Sequence, residues 1–245
     1  MNFVVGANLM FVPILLTIKI HSIRITFIQM KRRCTLLLVN SMKYSCLFFL
    51  IFMMTSCTMS SYEPRNKNNI CEIFRDSQKW YDSASRARKR WGVPISVAMS
   101  IIYYESSFKA NAKPPRRTCL FFFPGPRLSS AYGYAQAIDG TWENYKNSTR
   151  RYGASRNDFN DAVDFVGWYC HQSYIKCGIK KNDPFRQYLA YHEGQKGFLR
   201  RSYRRKSWLI KKARLVQKRA LIYARQLNLC EKELMKRKSF CIWPF

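Results

Sequence analysis

The sequence predicts a mainly α protein: one helical catalytic-type domain that ends in a long, basic C-terminal helix. Three observations indicate this class. Residues 93–108 form a nearly continuous apolar run. Residues 159–176 repeat apolar side chains at helical spacing. From Ser207 to about Lys236 the pattern is amphipathic, with Lys and Arg opposite an apolar stripe. The segments between them leave little room for strands.

The apolar run over 93–108 ends in a carboxylic acid, Glu105. A helix with this sequence has no polar face, so we expect it to be buried on most sides. Apolar surroundings disfavour the charged form of a carboxyl group and raise its pKa, as a general acid working near neutral pH requires. The alternative is a helix that simply reaches the surface at Glu105.

Helices are also predicted on either side of this run. Residues 72–91 show helical spacing; Gly92 is expected to stop that helix and Pro94 to start the next. The stretch 109–130 has loop composition, and we expect its three consecutive Phe residues, Phe121–Phe123, to tuck over the core rather than form an exposed lip.

Capping residues mark three later helices. Asp139 is assigned to capping a short helix towards Tyr145. Gly178 is expected to end the helix over 159–176. Asp183 and Pro184 form an N-cap and first-turn pair for a helix that carries Tyr188, Leu189 and Tyr191.

Residues 42–57, MKYSCLFFLIFMMTSC, have the layout of a secretory signal peptide. The small residues before Cys57 resemble a bacterial lipobox, which predicts lipidation at Cys57; a retained anchor helix is the alternative, although the run is short for a span. Residues 58–70 are interpreted as a tether. Residues 1–41 are either an over-extended start or a first apolar segment.

Net charge is +29, and no acidic residue precedes Glu63. Such a balance implies an anionic partner: nucleic acid, anionic lipid or an acidic polymer. The chain has no zinc-finger, homeodomain or RNA-recognition signature, which argues against nucleic acid. The basic cluster over 199–219 is either a binding surface or a solvated helix face.

Three short blocks carry a family resemblance: Glu105-Ser106, then Gly133-Tyr134-Ala135-Gln136, then Ala190-Tyr191-His192-Glu193-Gly194. In this order they resemble the lytic transglycosylases of the soluble type and the related goose-type lysozymes, over roughly residues 71–230. The sequences Tyr134-Ala135-Gln136 and Tyr191-His192-Glu193-Gly194 are closer to those of a lipoprotein branch of this family. The resemblance implies a lysozyme-like fold, usually helical with at most a small sheet, with 71–198 as the catalytic domain and 199–245 as a basic helix packed on it.

The resemblance also implies an activity. Lytic transglycosylases cleave the MurNAc–GlcNAc bond of peptidoglycan with one Glu as acid and base, and leave a 1,6-anhydro ring. Glu105 is therefore the expected catalytic residue, peptidoglycan the partner, and the enzyme a monomer that needs no cofactor. No metal is expected, because His171 and His192 lack partners at ligand spacing.

Five residues are expected to bind substrate, each with a structural alternative. Ser106 bonds to Glu105 or the sugar, or merely caps its helix. Gln136 lines the cleft or lies on a surface turn. Tyr191 holds the acid and the substrate, or packs in the core. Tyr134, like Tyr132, stacks on sugar or packs in the core. Glu193, the fifth, acts as a second carboxylate or lies at the surface against an arginine.

Glu193 stands where the family commonly has a small residue. It would act as a second carboxylate, favouring a hydrolytic muramidase, or raise the pKa of Glu105 by repulsion; the simpler alternative is a surface Glu that contacts an arginine. A non-catalytic wall- or membrane-binding lipoprotein is a further alternative.

Of the nine cysteines, three lie in or before the leader, and some of the other six should pair in an oxidising periplasm. Cys71 and Cys230 bracket the domain and are predicted to form a disulfide. Cys170 and Cys177 lie on one helix with Cα atoms about 10 Å apart, too far to pair. Together with the leader, this predicts a periplasmic lipoprotein anchored to a bacterial envelope membrane, the outer membrane being favoured.

Overall fold

The computed structural model describes residues 62–119 and 123–239. Within them the fold is mainly helical, as predicted. The predicted leader, Cys57, and the packing of Phe121–Phe123 lie outside the described side chains. The elements in chain order are α1 (Ile70–Asp76), α2 (Gln78–Trp91), α3 (Ile95–Ser106), β1 (Arg116–Cys119), β2 (Phe123–Arg127), α4 (Asp139–Thr149), α5 (Phe159–Cys177), α6 (Pro184–Leu199), a 3₁₀ turn (Ser202–Arg205) and α7 (Ser207–Ser239).

Helix α3 is the buried rod that the apolar run predicts. It packs against α2, α5 and α7, and Met99, Ile101 and Ile102 are fully buried. Gly92 ends α2 in the left-handed conformation, with φ of 69°, which a residue without Cβ adopts freely. Pro94 stands at the cap position just before α3. The rod therefore begins and ends where the sequence indicates.

An aromatic cluster joins α2 to α5. The Trp80 ring stacks on Phe159 with centroids 3.7 Å apart, and Tyr134 meets Trp80 edge-on at 5.6 Å. Stacked and edge-to-face pairs are the favoured aromatic geometries. This cluster fixes the loop that carries Tyr134 against the helical core.

Helix α7 lies across the domain and contacts α1, α3 and α6. The predicted apolar stripe is its buried face, with Leu209, Val216 and Tyr223 all fully buried. At its far end Cys230 forms a disulfide with Cys71 in α1, with Cα atoms 6.0 Å apart. This is the pair expected from the sequence, whereas Cys170 and Cys177 are free thiols.

The first predicted helix is two helices. The chain breaks at Ser77, whose extended backbone has φ of −139°, and α1 begins earlier because the Asn69 side chain accepts hydrogen bonds from the N–H groups of Cys71 and Glu72. This is an N-cap that the apolar pattern does not reveal.

The predicted tether over 58–70 is described by the structure only from Tyr62, and that part is not a free tether. From Tyr62 onward this segment packs on the domain: the Tyr62 ring meets Trp80 edge-on at 5.0 Å, and the Tyr223 hydroxyl donates to the Lys67 carbonyl. Gln226 bonds both Asn68 O and Ile70 N. Polar composition hid these contacts because they are made mostly by the backbone of the segment.

The stretch predicted as loop contains the small antiparallel sheet, with Arg116 opposite Arg127. Asp139 is not a cap: Ile138 occupies the cap position of α4, and the Asp139 carboxylate pairs with Arg156 at 2.8 Å. In the described part of the chain, no helix is long and apolar enough to cross a membrane.

Candidate active site

Glu105 is the penultimate residue of α3, where the chain leaves the buried rod. The next two residues after the helix, Ser107 and Phe108, both have positive φ, 51° and 61°. Side-chain-bearing residues adopt this left-handed region at a cost of order 1–3 kcal/mol, and such residues cluster at functional sites. Phe108 is completely buried, so its side chain anchors the sharp turn that ends the helix beside Glu105.

Glu105 as a residue is partly exposed to solvent. Its carboxyl group is nevertheless closely surrounded by protein atoms. The Tyr188 hydroxyl donates to its Oε1 at 2.8 Å. Burial raises the pKa of Glu105, while the Lys212 charge, the Tyr188 hydrogen bond and His192 act in the opposite direction; the net effect is a raised pKa. Glu105 therefore holds a proton more firmly than an exposed glutamic acid does.

The second sequence block is a tight turn built on two left-handed residues. Gly133 has φ of 79°, and a Cβ placed there would lie 2.0 Å from the Arg156 carbonyl oxygen. Gln136 has φ of 48°, and its amide nitrogen donates to Ala112 O and Gly133 O, both at 2.9 Å. Gln136 thus closes the turn from within while remaining partly exposed.

Tyr191 connects the third block to the second. Its hydroxyl donates to the Ala135 carbonyl at 2.6 Å. Burial raises the pKa of Tyr191 well above its usual value, with the neighbouring Glu105 charge as the next cause. The structure therefore brings the three blocks together around Glu105, and Tyr191 ties the wall of the site to the turn.

Two of the expected binding residues lie in the core. Tyr134 is only 2 % exposed, and burial raises its pKa to about 12. Ser106 is 6 % exposed, and its hydroxyl donates back to the Ile102 carbonyl at 3.3 Å. Tyr134 therefore packs in the core, which is its structural alternative, whereas Ser106 bonds to its own helix and Ser107 occupies the cap position.

Glu193 is held by an ion pair rather than left open. Its side chain is 4 % exposed and its Oε1 contacts Lys206 Nζ at 2.7 Å; Ser202 also donates to it. Burial alone would raise the pKa of Glu193, but hydrogen bonds from Lys206, Ser202 and His192 outweigh it and lower the pKa to about 2. Its partner is a lysine, not one of the many arginines.

Three site residues escaped sequence reasoning. Tyr188, and not Tyr191, makes the hydrogen bond to Glu105. Lys212 lies 5.7 Å from the centre of the Tyr188 ring, so the basic helix α7 reaches the site. Tyr188 and Tyr191 are three residues apart on α6 and share a face, a spacing that was available as a signal; nothing in the sequence singles out Lys212 or His192.

Beside this cluster α6 is interrupted at Gly194, with φ of 72° and ψ of 158°, a conformation essentially confined to glycine. The interruption borders a groove of about 740 Å³ between α4 and α5, lined by Trp168, Tyr169 and Gln195 among others. Glu105 does not line this groove. Tyr169 connects this groove to the site, because its ring packs against Tyr191 with centroids 4.9 Å apart.

The chemistry that these groups can perform is proton transfer. A carboxyl with a raised pKa and a hydrogen-bonded phenol supply a general acid whose conjugate base is stabilised. Among the described residues no group of His, Cys, Asp and Glu side chains is arranged to hold a metal ion.

A mainly helical domain with a small sheet, in which a buried helix ends in a carboxyl group of raised pKa, is typical of the lysozyme-like class. A family model described as a transglycosylase SLT domain matches residues 45–230, and the chain belongs to this family. No curated protein and no solved structure matches the chain. Membership supports a lytic transglycosylase of peptidoglycan that acts on the cell wall in the periplasm.

Proposed function

We propose that the protein cleaves the MurNAc–GlcNAc bond of peptidoglycan and leaves 1,6-anhydro-MurNAc ends, with Glu105 as sole acid and base. In the first step the Glu105 carboxyl gives its proton to the glycosidic oxygen, the bond from that oxygen to C1 breaks, and a carboxylate remains. In the second, the C6 hydroxyl oxygen bonds to C1 and its proton returns to Glu105. The observation that carries the proposal is the hydrogen bond from the Tyr188 hydroxyl to the Glu105 carboxyl group, whose pKa is raised by burial.

The surrounding groups suit both half-reactions. Burial raises the pKa of Glu105 and so favours the protonated form that the first step needs. Once the proton has left, the Tyr188 hydrogen bond and the Lys212 charge both favour the carboxylate. A hydrogen bond to a charged group contributes about 1.5–3 kcal/mol. Tyr188 and Lys212 are therefore positioning residues that stabilise Glu105 between the two transfers.

The state of the other carboxylates supports this route over hydrolysis. A muramidase with two carboxylates needs a second one free to act as nucleophile or base. Glu193 is fixed by Lys206 and has its pKa lowered to about 2. Asp164 is 5 % exposed and is bound by Arg90 and Tyr145. Both carboxylates are therefore engaged in ion pairs and hydrogen bonds within the fold.

For the sugar contacts we retain Gln136 and Tyr191. Both are partly exposed, and both belong to the turn and wall that adjoin Glu105. Tyr134 and Ser106 support that wall from the core. Glu193 would act on substrate only through the segment that it braces. We further propose that the protein is a lipoprotein anchored through Cys57 to the outer membrane, on the lipobox-like pattern of residues 42–57.

Digestion of purified peptidoglycan, with products read by mass spectrometry, tests the reaction. We expect anhydro-muropeptides from the wild type and a rate at least about 10³-fold lower from Glu105→Gln, within the usual range for loss of a general acid. Glu143→Gln, at an exposed carboxylate paired with Lys146, is the matched control and should be unaffected.

Two results would overturn the proposal. Reducing-end muropeptides in place of anhydro ends would make the protein a hydrolase, and loss of that activity in Glu193→Gln would then identify the second carboxylate. Equal digestion by wild type and Glu105→Gln would remove Glu105 from the chemistry.

A further inference from the structure

Helix α7 carries a second ordered face besides the one buried in the domain. Lys211, Lys218, Arg225 and Lys232 are all exposed, and they follow one another at intervals of seven residues. Because seven residues make nearly two turns of helix, they form one cationic stripe along the outer surface.

An apolar stripe runs beside it, three residues earlier in each heptad. Trp208 is 52 % exposed, Leu215 50 % and Leu229 87 %, again at multiples of seven. At 1.5 Å per residue the stripe is about 31 Å long. Scattered apolar residues on a surface need no explanation, but an ordered row beside a row of cations does. We define the two rows together as the α7 outer surface.

This surface is also strongly unbalanced in charge. No acidic residue occurs between Glu193 and Glu231. Lys206 is already paired with Glu193, and Glu231 pairs with Arg88 on helix α2. The four cations of the stripe, Lys211, Lys218, Arg225 and Lys232, have no carboxylate partner among the described residues. The same holds for the exposed Arg200, Arg201, Arg204, Arg205 and Arg214.

We propose that the α7 outer surface binds the surface of an anionic lipid bilayer, with the helix lying parallel to the membrane. Interfacial helices combine Lys and Arg with Trp and Leu so that cations meet lipid phosphates while apolar side chains enter the headgroup boundary. Nucleic acid or an acidic wall polymer would use the cations and leave the apolar row exposed to water. The proposal does not depend on the reaction proposed for Glu105.

The first test measures binding of the full chain to phosphatidylcholine vesicles with and without about one third phosphatidylglycerol. Each Lys or Arg near an anionic membrane contributes about 1 kcal/mol, so the triple variant Lys211→Gln, Lys218→Gln, Arg225→Gln should bind the anionic vesicles roughly 100-fold more weakly. The matched control, Arg65→Gln, Lys89→Gln, Lys180→Gln, removes the same charge from exposed residues elsewhere and should change binding about twofold or less.

The apolar row is tested separately. Leu215→Ser with Leu229→Ser should weaken binding to the same vesicles at least about tenfold. Leu128→Ser with Ile175→Ser, which changes two side chains of similar exposure, should leave it unchanged. Circular dichroism checks that every variant is folded. Any contribution of residues 1–61 is common to all of them and cancels in the comparison.

Several results would overturn the proposal. One is binding of the triple variant to anionic vesicles as tight as that of the wild type. Another is equal binding of the wild type to neutral and anionic vesicles. Binding to isolated cell-wall sacculi or duplex DNA that the triple variant loses, with no binding to vesicles, would assign the surface to a polymer instead. Self-association lost in the Leu→Ser pair would make it an interface between copies.

Discussion

The carboxyl group of Glu105 is surrounded by protein on a helix that has no polar face. Its pKa is raised by burial above the ordinary value of 4.5, so the folded state binds a proton more tightly than the unfolded state does. By linkage, the free energy of unfolding falls as the pH rises from about 4.5 through the folded-state pKa. The property that makes Glu105 an acid therefore costs stability at neutral pH.

Glu105→Gln should remove this cost. We expect the variant to be inactive yet to gain stability over the wild type as the pH rises above about 4.5, since Gln cannot ionise. Urea unfolding from pH 4 to pH 8 measures the difference. Parallel stability curves for the two proteins would show that burial leaves the Glu105 pKa unshifted.

Tyr188→Phe should show whether Tyr188 tunes the proton affinity of Glu105 or only holds it in position. The hydrogen bond that this change removes stabilises the ionised carboxylate. Without it the pKa of Glu105 should rise further, and the alkaline limb of the rate profile should move to higher pH. The maximal rate should fall about tenfold, because the carboxylate left after proton transfer is less stabilised.

Tyr191→Phe is the matched comparison for Tyr188→Phe. It breaks the bond to the Ala135 carbonyl and no bond to Glu105, so its rate should fall without the shift in pH profile. An identical shift in both variants would mean that Tyr188 acts on the structure of the site and not on the acid.

The apolar run that ends in a carboxyl singles out Glu105, and the resemblance carried by the three blocks makes it the expected catalytic residue. The same resemblance assigned the acid-holding role to Tyr191, one helical turn from the tyrosine that makes the bond. Lys212 could not be predicted, because only tertiary packing brings helix α7 close to Tyr188. Such contacts depend on how helices cross and not on local pattern.

At the scale of elements, the turn that carries Gln136 depends on Gly133. Gly133→Ala places a Cβ 2.0 Å from the Arg156 carbonyl and forces positive φ on a side-chain-bearing residue. We expect a loss of about 3 kcal/mol in unfolding free energy and a lower rate, since the displaced turn carries Gln136. Thermal unfolding and peptidoglycan digestion measure the two effects.

Gly140→Ala is the control for Gly133→Ala. Gly140 lies in the first turn of α4 and has open space around it, so alanine should stabilise the helix by up to about 1 kcal/mol. Equal behaviour of the two variants would show that the turn is not confined by Arg156.

Elements with strong periodicity were predicted nearly to their ends, as with α5 and its Gly178 cap. Elements defined by side-chain capping or by backbone contacts were not. The packing of residues 62–70 includes hydrogen bonds to the distant Gln226, and the start of α1 depends on the Asn69 cap; neither leaves a trace in hydrophobic spacing. The sheet escaped for the same reason, because its composition is that of a loop.

At the scale of the whole molecule, the Cys71–Cys230 disulfide joins the first and last helices of the domain across 159 residues. Replacing both with Ser should lower the unfolding free energy by about 2–5 kcal/mol, the usual range for a long loop. Calorimetry under non-reducing conditions measures it. Cys177→Ser, at a free thiol, should change stability far less; a double variant as stable as the wild type would show that helix packing alone holds the ends together.

The same bond turns most of the domain into a covalent ring. A single proteolytic cut between Cys71 and Cys230 would leave two fragments still linked through sulfur. The nicked protein would migrate as one species until a reductant is added. In an envelope that contains proteases, the last helix and the Lys212 that it brings to the site would stay attached to the nicked domain.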